Sequence, residues 1–206
     1  MSAPYDVLPF QRGKTLYQGT PTDTSYIAPC IGEEFRVRDT IHGTNRIVVL
    51  RAVRNEADFG GSGSAVEPKR LARLSADGKA IIGYTRLPSE KGYPIDQLLP
   101  TAGCAYKDVC YVVVEGPALV LTSLSNYSTD VAARESLNSM TAATSGATTA
   151  GRLRQRLLEA ATADATAGQR AVTEGNGVWG QAVSTALTNA TNSDVLVDVQ
   201  ARTPRG

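Results

Sequence analysis

At 206 residues, 42% of them hydrophobic but only 6% aromatic, the chain has room for one domain and an appendage, with a core of small and aliphatic groups. Its 21 basic and 20 acidic residues leave a formal charge of +1, which gives no electrostatic case for nucleic acid or for an anionic membrane surface. No apolar run approaches the roughly 20 residues that cross a bilayer, and the opening "MSAPYDVLPFQRGK" lacks a charged segment followed by an apolar one, so synthesis in the cytoplasm is expected.

Residues 1–34 show neither helical nor strand period. Pro4, Pro9, Pro21 and Pro29 interrupt them, and proline fixes φ and removes a donor, so this stretch is expected to be an extended N-terminal arm. Apolar anchors recur along it and just beyond: Tyr5, Leu8, Phe10, Leu16, Tyr17, Tyr26, Ile27 and Phe35. Such anchors suit a segment that lies on a surface, either its own core or a neighbour's, and these eight are the candidate interface residues.

From residue 35 onward the pattern is β. "FRVRD" alternates, and "RIVVLRAVRN" is β-branched and continuous enough for a buried strand. "FGGSGS" (59–64) has the composition of a flexible loop. Residues 67–87 predict a hairpin: Leu71 and Leu74 in the first arm, a turn at Ala76-Asp77-Gly78-Lys79, then Ile81, Ile82 and Tyr84. Residues 87–108 predict an ordered loop with a helical turn at 95–99. In "YVVVEGPALVLTS" (111–123), Gly116-Pro117 is a poor hairpin turn, since proline cannot donate to a ladder. The segment is therefore expected to be one long strand bent at a corner, with Pro117 at an edge or bulge.

The remainder is rich in Ala, Thr, Ser and Gly. A short helix is expected within 129–140, capped by Thr129 or Asp130, with Val131 and Leu137 inward. "RLRQRLLEA" (152–160) is assigned to a strand. Two final strands are expected in 177–187 and 193–200, the second with Val195, Val197 and Val199 on one face. Eight to ten short strands separated by turns predict a mainly β chain, a small antiparallel sandwich or barrel over 35–206.

Few residues carry chemistry. His42, the one histidine, sits in "DTIHGTN" with Asp39 three residues before it, but no nucleophile elbow accompanies it. Glu33 and Glu34 are sequence neighbours, which on extended chain point to opposite sides and cannot act on one bond. Cys30, Cys104 and Cys110 lack metal-ligand spacing and are expected to be small buried hydrophobes. Arg152, Arg154 and Arg156 would share one strand face, usually a solvated one. No phosphate-cradling or zinc motif occurs. The expectation is a non-enzyme with no cofactor, no metal site, no nucleic-acid partner and no membrane partner.

Several segments together resemble tailed-bacteriophage capsid decoration proteins, also called cement or head-stabilising proteins. They are Pro94-Ile95-Asp96-Gln97-Leu98-Leu99-Pro100, the strand from Asp108-Val109-Cys110-Tyr111 through Gly116-Pro117, the "TSGATTAGRL" loop, the closing "VWGQAVSTAL … SDVLVDV" hairpin, and the arm "TLYQGTPTDTSYIAPCIGEEFRVRD". The resemblance implies a small β-barrel, or β-tulip-like, domain that is usually a homotrimer. It implies a virion structural protein on the outer capsid surface, binding the major capsid protein and stabilising the phage head through many modest contacts. The other reading is a virion-surface module that binds a host or a glycan through loops 59–64 and 141–151.

Overall fold

Why these residues form strands is clearest in the longest one. Val109–Leu121 runs for thirteen residues, almost all buried, and β-branched side chains fill its first half. The computed structural model describes residues 7–17, 30–43, 45–60, 63–86, 90–121, 136–139, 151–155, 180–181 and 194–199. Within them are ten strands and no helix: β1 (Glu34–Arg38), β2 (Ile47–Asn55), β3 (Leu71–Leu74), β4 (Ala80–Tyr84), β5 (Tyr93–Pro94), β6 (Val109–Leu121), β7 (Ser136–Ser139), β8 (Leu153–Gln155), β9 (Gly180–Gln181) and β10 (Asp194–Val199). The chain is mainly β, as its alternation and turn spacing predict.

Seven strands form one sheet in the order β10-β6-β2-β4-β3-β5, with β1 also paired to β2. All pairings are antiparallel except β2 with β4. The sheet curls strongly, because Ile95, the residue after β5, makes an antiparallel bridge back to Val112 of β6. The β3–β4 hairpin forms where the Asp-Gly signal places it. Gly78 has φ 71°, and the Asp77 carboxylate accepts the Lys79 amide at 3.1 Å. The predicted helical turn at 95–99 is a single turn, closed by the Leu99 amide on the Asp96 carbonyl at 3.2 Å.

The bend in β6 is a change of partner. Val109 to Glu115 pair with β2, and Gly116 to Leu121 pair with β10. At the changeover Val49 opposes Glu115 while Leu50 opposes Val113, so Val114 is an extra residue, a β-bulge. Gly116 has φ 98°, and a Cβ there would lie 2.5 Å from the Ile47 carbonyl oxygen, so only glycine fits. Beyond it the Leu119 amide donates to the Gln97 side chain at 3.0 Å and the Leu121 amide to the Lys69 carbonyl at 2.8 Å. Pro117 precedes these two on the same edge, and it has no N–H to satisfy.

The bulge also decides which residues meet. Val109, Tyr111 and Val113 face one apolar cluster before it, and Ala118 and Val120 face the same cluster after it. One inserted residue shifts the parity of the pleat. The opposite face, with Cys110 and Val112, lines a second cluster with Val53, Ile81, Tyr84 and Ile95.

One sequence expectation changes, and two become more specific. Ser136–Ser139, placed in the predicted helix, is β7, in register with β8 through Leu137–Gln155 and Asn138–Arg154. Ser and Asn compete with helix backbone for hydrogen bonds, and a neighbouring strand supplies a ladder instead. Thr129, Asp130 and Val131 lie outside the described residues. Of the two final strands expected in 177–187 and 193–200, the described parts are β9, which pairs with β7, and β10, which pairs with β6. Val197 and Val199 are buried, and pairing with β6 places them in the cluster that holds Ala118 and Val120. Finally, the boundary at 34/35 falls inside β1, and the pairing with β2 reaches further back, since Gly32 donates to the Ala52 carbonyl at 2.8 Å.

Candidate functional site

The most elaborate arrangement among the described residues is the seat of segment 7–17. It is built from the 94–100 loop and β6. Phe10 stacks on Tyr111 with ring centroids 4.2 Å apart and planes 8° from parallel. The Tyr111 hydroxyl donates to the Phe10 carbonyl at 2.9 Å and faces the Phe10 amide at 3.3 Å. Leu16 and Val109 exchange two backbone hydrogen bonds, each 2.9 Å. Between these two points Arg12 reaches Asp96, with Nη2 2.7 Å from Oδ1 and Nε 3.4 Å from Oδ2, and the Gly13 amide donates to Oδ2 at 3.2 Å.

Asp96 is 1% exposed and the Arg12 side chain 13%. A carboxylate so far from water needs these donors, because an uncompensated buried charge is costly. Burial pushes the Tyr111 hydroxyl up to about 12, so it stays a donor at neutral pH.

Of the eight candidate interface residues, Leu8, Phe10, Leu16 and Phe35 are half-buried against their own subunit's first cluster. Tyr17 is 69% exposed. Tyr5, Tyr26 and Ile27 lie outside the described residues. Sequence reasoning missed Arg12, Asp96 and Tyr111 as the residues that hold this segment, because their partners lie 84 and 101 positions away.

A second joint lies at His42. Its Nδ1 is 3.1 Å from Asp39 Oδ1 and its Nε2 3.0 Å from Gln97 Oε1. Asp39 is buried and also accepts the Ile41 and His42 amides at 3.1 and 3.2 Å. The ring thus ties the turn after β1 to the 95–99 loop.

The other candidates are dispersed. Glu34 pairs with Arg51 across β1 and β2, as strand neighbours do. Cys30, Cys104 and Cys110 are free and buried, and contact with Cys104 together with burial pushes the Cys110 thiol well up, which makes it unreactive. Arg152 precedes β8, Arg154 lies opposite Asn138, and Arg156 is outside the described residues. Among the described residues no group of three His, Cys, Asp or Glu could hold a metal ion, and no helix is long and apolar enough to cross a membrane. Comparison with protein-family models, with curated proteins and with solved structures finds no match for this chain.

Proposed function

We propose that the chain is a virion structural protein, a decoration or cement protein. It binds the outer surface of an assembled phage capsid shell through the major capsid protein and stabilises the head, without enzymatic activity. In this reading the curled sheet is a small barrel, closed where Ile95 meets Val112, and the chain acts as a homotrimer with 1–34 as its arm. The observation that carries the proposal is the resemblance of 94–100 and 108–117 to that family. It is supported by the convergence of those two stretches on one structural element, the seat of segment 7–17. A clamp for a shell needs a rigid platform and a firmly rooted arm, and each copy can be weak if many act together.

The test compares capsid particles with and without the full chain. Co-sedimentation with assembled shells and raised resistance to heat or pressure is the expected result. Equal resistance at full occupancy would remove the stabilising role. Loss of cell adsorption with unchanged head stability would favour the host- or glycan-binding reading.

A further inference from the structure

The His42 ring lies between two hydrogen-bond acceptors. At Nδ1 the partner is the Asp39 carboxylate, which has no donor when ionised. At Nε2 it is the Gln97 amide, and either end of an amide can face a ring nitrogen. Here the choice is fixed from the other side. The Leu119 N–H donates to the same Gln97 atom at 3.0 Å, and only the amide oxygen can receive it. A neutral imidazole has one N–H and one lone pair, so it serves one of these acceptors and turns a lone pair on the other. An imidazolium has two N–H groups and serves both.

We infer that His42 is a proton-operated clamp between the turn that follows β1 and the 95–99 loop. It is closed when the ring carries its second proton and loosened when that proton leaves. The clamp reaches β6 as well, because Gln97 Oε1 also holds the Leu119 amide, on the edge that β2 has left. Asp39 faces the ring from its own turn, and Arg38 at the end of β1 bonds Asn45 at 2.7 Å. On the loop side, Asp96 is matched by Arg12, and from β6 the neutral Leu119 amide meets Gln97. Ile41 and Leu98, 39% and 43% exposed, are the chain neighbours of His42 and Gln97 at the two ends of the clamp.

The sign follows from the donor count. Proton uptake adds a charge-assisted bond in the folded state, so the contribution is present on the acid side of the ring's titration and lost as pH rises through it. Because the chain has a single histidine, a two-bond proton–nitrogen correlation spectrum of the uniformly labelled full chain reads that ring alone. When the ring is doubly protonated, both of its N–H protons are expected to be protected from solvent exchange by Asp39 and Gln97. Exchange of either proton as fast as in a free imidazolium would overturn the inference.

The ratio of folding equilibrium constants between the native chain and His42→Gln is expected to be about tenfold larger at pH about 5.5 than at about 8.5, the order of one charge-assisted hydrogen bond. An equal ratio at both would overturn it. If His42→Gln does not fold, Gln97→Glu decides. It keeps an acceptor for Leu119 and places a second anion at Nε2, and the ring should then titrate at higher pH than in the native chain. An unchanged titration sinks the clamp.

Discussion

The two apolar clusters are built in different ways from the same two strands. The second draws Val53, Ala57, Val66, Ile81, Tyr84, Ile95, Cys104 and Val112 from one continuous stretch, closed by the β3–β4 hairpin and the loop after it. The first lies on the opposite face of β2 and β6. Its buried members include Leu50, Tyr111, Val120, Val197 and Val199, and Leu8, Phe10, Leu16 and Phe35 cover it. One core is local, and the other is completed by remote ends of the chain. Local contacts close short loops, which costs less entropy, so the second cluster needs fewer simultaneous conditions to form. The first depends on segments that hold few contacts of their own.

The sharpest way to break this contrast is to remove the residue on which the remote core turns. Tyr111→Ala deletes a side chain 1% exposed together with the Phe10 stack, and should cost about 3–5 kcal/mol in urea unfolding. Ile81→Ala in the local cluster should cost about 2–5 kcal/mol. Hydrogen exchange should show the Leu16–Val109 bonds opening first in Tyr111→Ala and staying protected longer in Ile81→Ala. Equal exposure in both variants would mean that the clusters unfold as one unit.

Asp96 joins the two regions, since it follows Ile95 of the second cluster and holds Arg12, which lies in the chain between Phe10 and Leu16 of the first. Asp96→Ala leaves the half-enclosed Arg12 without its carboxylate and should cost about 3 kcal/mol. A double-mutant cycle with Arg12→Ala should recover most of that as coupling. Additive losses would show that the pair does not root the segment.

Gly116→Ala strikes the point where β6 changes partner. Its positive φ and the 2.5 Å approach to the Ile47 carbonyl predict a loss of about 2–3 kcal/mol. A neutral effect in thermal unfolding would show that the bend relaxes freely.

The smallest expected effect distinguishes the clusters by their tyrosines. Tyr111→Phe removes the hydroxyl that bonds Phe10, and Tyr84→Phe removes the one that accepts the Glu67 amide at 2.7 Å. Each should cost about 1 kcal/mol. Burial pushes both hydroxyls up to about 12 from 10. The unfolded chain therefore loses these protons first. Stability is intact below pH about 10 and falls as pH rises toward about 12. Each Phe variant should flatten part of that alkaline decline, and an unchanged slope would show that the tyrosine concerned does not contribute.

Much of the local core could be read directly. β2 was visible as a β-branched run, the β3–β4 hairpin through Asp77-Gly78, and the bend in β6 through Gly116-Pro117, because each is dictated by short-range sterics or by patterning. The apolar anchors of the first segment were visible too, but what they anchor to was not. Phe10 and Leu16 say only that they prefer burial, and the choice of Tyr111 and Val109 is made by the curl of the sheet. His42 and Gln97 are 55 positions apart, and neither signals the other. Ser136–Ser139 was misread because a polar four-residue strand takes its conformation from its neighbours.

By itself, the sequence determined a mainly β chain, the Asp77-Gly78 turn and the bend at Gly116-Pro117. These follow from φ restrictions, missing donors and the two-residue period of a pleated strand, all of which act within a few residues. Tertiary structure decided the bulge at Val114, the exchange of β2 for β10 as partner of β6, the Arg12–Asp96 root and the His42 joint. Each of these requires groups far apart in the chain to meet, and only the closing of a curled sheet brings them within hydrogen-bonding distance.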